Sequence, residues 1–237
     1  EFYAGYLKDQ YQGNFAARAL ASINGTEPVI YKLMKNQAKN GVSKVLLAQI
    51  ASYKRHFHDA EPIVIEWLKG ATPELKTQIY IALGAWGGAD ALKVLGAAAK
   101  EVGYTFESTD AYGSYLNLLS GHLIKHEPKL VAKEAKKMMK FPKANVRLAG
   151  LDLLVQMQGV ATTPLVVKAL SDACREYRYG AMRLSEAYAD DKTYAAVAGE
   201  LAEVADVAKV DILNWLGAQH AASQIAAIAP YVASQND

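Results

Sequence analysis

The chain has 237 residues, 51% of them hydrophobic and 21% charged, with a formal net charge of +2. A chain of this length and composition buries a large continuous core, and so small a net charge does not by itself imply a polyanionic partner. Its single cysteine, Cys174, excludes an intrachain disulfide, and no apolar run approaches the ~20 residues of a membrane-spanning helix.

Val, Ile and Thr are not gathered into alternating runs, Ala is abundant, and Gly falls at the ends of apolar stretches. The fold class predicted is therefore all-α. Taken from the start, Glu1 to Asn14 carries Phe2, Tyr3, Tyr6 and Tyr11 near helical spacing. Two readings fit it: an aromatic stacking surface, or an amphipathic first helix covering the end of a stack. Leu20 then closes an apolar helix, and Glu27-Pro28 opens the next, proline losing no hydrogen bond at a first helical position. Ile50 and Glu61-Pro62 repeat that arrangement around the turn Lys54-Arg55-His56-Phe57-His58-Asp59. Two histidines and an aspartate invite a metal reading, but with no further ligand nearby in sequence a solvated basic turn is expected.

Leu83-Gly84-Ala85 ends the next apolar helix, with Gly87, Gly88 and Asp90 in the turn that follows. Leu119 marks a longer unit, in which His122 and His126 stand four apart and would share a helical face. Zinc needs a third protein ligand, and Leu123 stands where the zincins place a glutamate, so no metal site is expected here. Glu127-Pro128 starts another helix and leads into the most unusual stretch. Between Lys125 and Arg147 eight basic residues face two acids. Lys129, Lys133, Lys136 or Lys137, and Lys140 recur at three and four and line one stripe. Such a stripe either holds phosphates or is a solvated face whose lysine stems cover apolar surface.

The clearest unit follows. Val146 to Leu154 has apolar residues at helical spacing interrupted by Arg147 and Asp152; Gln158-Gly159 supplies a stop and Thr162-Thr163-Pro164 a start. Beyond it, Arg175-Glu176-Tyr177-Arg178-Tyr179 reads as an exposed partner-binding hot spot or as packing between units, with Arg178 making the bonds. Leu184 and Leu216 close the last two apolar helices, and Asp190 lies in a turn where its side chain can cap the next helix. The anchors Leu20, Ile50, Leu83, Leu119, Leu154, Leu184 and Leu216 succeed one another at 30, 33, 36, 35, 30 and 32 residues. That regularity marks an array of helical pairs.

Val146-Arg147-Leu148-Ala149-Gly150-Leu151, Leu83-Gly84-Ala85, Leu216-Gly217-Ala218 and the basic residues seven before the anchors, Lys76, Arg147 and Lys209, resemble the HEAT repeat family in its short-repeat bacterial form. The resemblance covers essentially the whole chain, residues 1–237, as one HEAT-like domain. It implies a right-handed α-solenoid of about seven helical hairpins, with the second helices on the inner curve. The first unit departs from the pattern with Gly13 at the basic position, and the fourth is long.

HEAT arrays are mostly scaffolds and binding surfaces, and similar arrays occur within larger bacterial envelope or secreted proteins. The resemblance thus implies a non-catalytic binding module holding a protein or a neighbouring domain of the same chain, and leans towards a periplasmic or secreted setting. A first residue of Glu1 rather than Met leads us to expect a piece of a longer polypeptide. The alternative is a nucleic-acid-binding array of the alkylated-base glycosylase type acting through the Lys125–Arg147 stripe. Those enzymes carry a carboxylate amid tryptophans, whereas Trp67, Trp86 and Trp215 sit where core packing accounts for them. His126-Glu127 is similar to the His-Glu pairs of HEAT-type deoxyhypusine hydroxylases, but that family uses several pairs. With no phosphate loop, nucleophile elbow or catalytic triad visible, no catalytic residue, metal or cofactor is expected. The candidate binding residues are Lys129, Lys133, Lys136, Lys137, Lys140, Arg175, Tyr177 and Arg178.

Overall fold

A computed structural model describes residues 2–9, 11–54 and 56–232, and among these the chain is all-α, with no strand. The chain divides into two compact units, Glu1–Glu127 and Pro128–Asp237. The first unit holds α1 (Phe2–Gly5), α2 (Gly13–Ser22), α3 (Glu27–Lys35), α4 (Gln37–Asn40), α5 (Lys44–Ser52), α6 (Glu61–Glu66), α7 (Pro73–Trp86), α8 (Ala89–Glu101), α9 (Ala111–Asn117) and α10 (Ile124–His126). The second holds α11 (Pro128–Met138), α12 (Ala144–Gln158), α13 (Thr163–Ala169), α14 (Arg175–Ser185), α15 (Asp191–Gly199), α16 (Asp206–Ala218) and α17 (Ile225–Val232).

Helix boundaries follow local chemistry. Prolines stand in the first turn of α3, α6, α7 and α13, where a missing N–H costs nothing. Ser43, Thr72 and Asp190 cap α5, α7 and α15 by accepting from backbone N–H groups in the first turn. Gly159 ends α12 at φ +52°, a conformation that favours glycine. Thr162 behaves differently from the expected cap: its hydroxyl donates back to the Gly159 carbonyl at 2.7 Å and makes no capping bond to α13. Nor does Asp90 cap α8. It lies inside that helix paired with Lys93, and the cap comes from Glu61, whose carboxylate accepts from Gly88 and Ala91 N–H at 2.8 and 2.7 Å.

Six of the seven anchors, Leu20, Ile50, Leu83, Leu119, Leu154 and Leu216, are fully buried, and Leu184 is half-buried. In the first unit α2 packs on α5, α5 on α7, and α7 on α9; in the second α11 packs on α12, α12 on α14, and α14 on α16. Two glycines permit the closest crossings. A Cβ at Gly84 would stand 2.8 Å from the Ser114 carbonyl oxygen, and one at Gly150 only 2.6 Å from that of Ala135. A π-turn, Leu118–Leu123, lies between α9 and α10. Insertions of this kind widen one helical turn and often mark functional sites.

Candidate functional site

In the second unit, the end of α11, the middle of α12 and the length of α13 enclose a groove of about 430 Å³. Met139, Leu154, Leu165 and Ala169 supply its apolar surface, and the lysines Lys136, Lys140 and Lys168 stand around it. The apolar residues are turned this way by the helical periods of α12 and α13. The three lysines are exposed and make no ion pair among the described residues. Lys137, next in sequence to Lys136, is instead tied to Glu134 at 3.0 Å.

One wall of the groove is a fixed polar assembly. Arg147 grips Asp172 with both terminal nitrogens, and its guanidinium lies 4.0 Å from the centre of the Tyr177 ring. Such planar, two-point pairing suits arginine rather than lysine. The Arg147 hydrogen bond holds the Asp172 carboxyl below the usual carboxylate range, helped by the Cys174 backbone N–H. The same bond raises Arg147, and burial pushes the Tyr177 hydroxyl up. The only carboxylate lining the groove is thus committed to an arginine, so the lining offers cations beside apolar surface and no free base.

Of the residues singled out in the sequence, Lys136, Lys140 and Tyr177 line this groove, while Lys129 and Lys133 are exposed on α11 outside it. Tyr177 and Arg178 are 6% and 4% exposed, too enclosed for an open hot spot. Arg178 bonds Asp211 at 2.9 Å and the carbonyls of Asp172 and Ala173, joining α14 to α16. Arg175 is exposed and reaches the other oxygen of Asp211. Lys168 and Asp172, which complete the groove, carry no signal of their own in the sequence; only folding α13 against α12 brings them in.

Elsewhere, α1 buries none of its residues, and Phe2, Tyr3, Tyr6, Tyr11 and Phe15 are all exposed. Trp67, Trp86 and Trp215 are buried. The two histidine pairs that stand apart in the chain come together: the rings of His58 and His122 lie 4.7 Å apart, and those of His122 and His126 4.4 Å. As the side chains stand, no three His, Cys, Asp or Glu groups among the described residues are arranged to hold a metal ion. No helix of the described residues is long and apolar enough to cross a membrane. No protein-family model, curated protein or solved structure matches this chain.

Proposed function

We propose that the chain is a HEAT-like α-solenoid serving as a non-catalytic binding module, and that the groove between α11, α12 and α13 receives an acidic, partly apolar segment of a protein partner. The observation that carries this reading is the apposition of three unpaired lysines with the apolar surface of Met139, Leu154, Leu165 and Ala169. Carboxylates on the segment meet the lysines while an apolar side chain enters between them. Charge complementarity of this kind speeds encounter and fixes register, and the buried apolar contact supplies the affinity.

Nucleic acid is less well served. Sequence-independent binding of single strands uses aromatic faces on which bases stack. The one aromatic of the groove, Tyr177, is buried, and the Arg147 guanidinium lies over its ring. Direct helix-to-helix packing within each unit and the regular burial of the anchors support the solenoid reading.

The test is fluorescence anisotropy with two labelled probes, a peptide rich in Glu and Leu and a DNA duplex. The intact chain should bind the peptide, and the triple variant K136E/K140E/K168E should weaken it by about tenfold or more, since each exposed charge acts on association. Unchanged peptide binding in that variant removes the groove from the function. Binding of the duplex in preference, falling about tenfold or more between ~50 and ~200 mM salt, would move the chain to the nucleic-acid class.

A further inference from the structure

We propose that Asn24 is a site of spontaneous deamidation, and that the isoaspartate formed there loosens the joint between α2 and α5. The chain holds two Asn-Gly pairs, Asn24-Gly25 and Asn40-Gly41. In this dipeptide the asparagine side chain meets the next backbone nitrogen most readily, because glycine brings no side chain to obstruct the approach. Each pair lies at or just past the end of a helix, and both glycines take a positive φ, +77° at Gly25 and +66° at Gly41. Local sequence and backbone conformation therefore treat the two alike. Their surroundings do not.

Asn40 is half-buried and tied at each atom the reaction would use. Its Nδ2 donates to the Leu33 carbonyl at 2.7 Å, and its Oδ1 accepts from the Val42 N–H at 2.9 Å. The Gly41 N–H, which would supply the nucleophile, donates to the Gln37 carbonyl at 2.9 Å. Asn24 is exposed in the turn between α2 and α3. Neither its side-chain amide nor the Gly25 N–H makes a hydrogen bond among the described residues. The space around Gly25 is open: a Cβ placed there would meet nothing within 4 Å. Thr26 braces the turn from outside, its hydroxyl donating to the carbonyls of Leu20 and Ile23, each at 3.0 Å. The Asn24–Gly25 peptide is the part left unbonded.

The chemistry needs only water. The Gly25 nitrogen loses its proton to solvent and attacks Asn24 Cγ; the new C–N bond closes a five-membered imide, and the side-chain nitrogen leaves as ammonia. Water then opens the ring. Attack at Cγ gives aspartate, while attack at the main-chain carbonyl carbon gives isoaspartate, in which the backbone runs through the side chain and is one carbon longer. That longer link directly follows Ile23, whose carbonyl, with that of Leu20, receives the Lys54 ammonium at 2.7 Å. Thr26 reaches across the altered peptide to the same two carbonyls, so the added carbon displaces its hydroxyl from them. The reaction thus acts where α5 is fastened to α2. It concerns the first unit and stands independently of the groove in the second.

The experiment is incubation of the full chain at mildly alkaline pH, folded and in denaturant. Peptide mapping by mass spectrometry reads amide-to-acid conversion at each asparagine, and an isoaspartate-specific methyltransferase with a labelled methyl donor counts isoaspartate. In the folded chain Asn24 should convert about tenfold or more faster than Asn40, whose hydrogen bonds must open before the ring closes. In denaturant the two should convert at similar rates. N24Q, whose longer side chain closes a less favoured ring, should lose most of the folded chain's methyl label and keep its circular dichroism. The converted fraction, separated by its added negative charge, should melt below the fresh chain, whereas N24Q incubated alike should keep its melting temperature. Equal rates at Asn24 and Asn40 in the folded chain, or conversion at Asn24 only in denaturant, overturns the assignment. A converted fraction that melts with the fresh chain overturns the effect on the joint.

Discussion

The two units join their helices by different chemistry. In the first, side chains reach backbone groups: the Lys54 ammonium donates to the carbonyls of Leu20 and Ile23, both at 2.7 Å; Trp86 Nε1 donates to Ala51; Asn117 donates to Gly84; and Glu61 accepts from the start of α8. In the second, charged side chains meet one another: Arg147 with Asp172, and both Arg175 and Arg178 with Asp211. Backbone partners cannot be mutated and carry no charge to strand, even opposite the Glu61 carboxylate, whereas removing one side of an ion pair leaves its charged partner behind. Loss of one joint should consequently cost less in the first unit than loss of a buried carboxylate in the second. Breaking a buried ion pair from one side leaves the remaining charge stranded, which makes it costlier than deleting a neutral bond.

The largest effect is expected at Asp211. It is 2% exposed and faces Arg178, itself 4% exposed. Asp211→Ala should cost about 3–5 kcal/mol by stranding that guanidinium, a large share of the 5–15 kcal/mol typical of a domain. Thermal unfolding followed by circular dichroism should show an early transition absent from the unaltered chain. Removing both partners in R178M/D211L should restore part of the loss, because no uncompensated charge then remains. Arg175→Ala, which deletes the exposed contact to the same carboxylate, should cost under about 1 kcal/mol. Equal effects of Asp211→Ala and Arg175→Ala would dissolve the contrast between buried and exposed pairing.

In the first unit the corresponding joint is Lys54. Burial draws its ammonium below the ordinary lysine range, opposed by Glu27, and its side chain ties the segment after α5 to carbonyls at the end of α2, those of Leu20 and Ile23. Lys54→Met keeps the apolar stem and deletes the charge, so it should cost about 1.5–3 kcal/mol, less than Asp211→Ala, because methionine strands carbonyl dipoles and no ion. Denaturant unfolding of the two variants side by side reads the difference. A Lys54→Met loss as large as that of Asp211→Ala would mean that backbone acceptors give no protection.

The repeat positions were legible because periodicity records which face of a helix is buried: Leu83 and Leu154 are buried as their spacing implies, and Pro62, Pro164 and Gly159 mark ends where proline and glycine must. The joints were legible in part. Arg178 makes a bond between packed helices, as its place beside Tyr177 suggested, but its partner Asp211 is one acid among many until α14 is laid on α16. The histidines show the limit most sharply. His58 and His122 belong to different helical pairs, and neither pair signals the other, since amphipathic spacing carries no information on which turns meet. The groove was half visible for the same reason: Lys136 and Lys140 lie in an obvious basic run, while Lys168 is a lone lysine in an apolar helix.

A smaller effect than that of Asp211 or Lys54 concerns pH. The Arg147 hydrogen bond, with the Cys174 backbone N–H, holds Asp172 below the ordinary carboxylate value against an opposing cost of burial. In the unfolded chain this group titrates near 3.9. Its contribution to stability is therefore complete above that pH and is lost as pH falls from about 3.9 through the lower folded value, where the native carboxylate finally takes up a proton. Both partners are partly exposed, so the pair is worth roughly 1 kcal/mol, between an exposed pair and a buried one. Asp172→Asn should lower stability by about that amount at neutral pH and narrow the gap to the unaltered chain as the solution is acidified. Protonation of Asp172 removes in the parent what the substitution has already removed, so the two unfolding curves should converge at low pH. A gap that stays constant down to the acid transition would mean that Arg147 is held in place by Tyr177 alone, and that the wall of the groove owes nothing to the carboxylate.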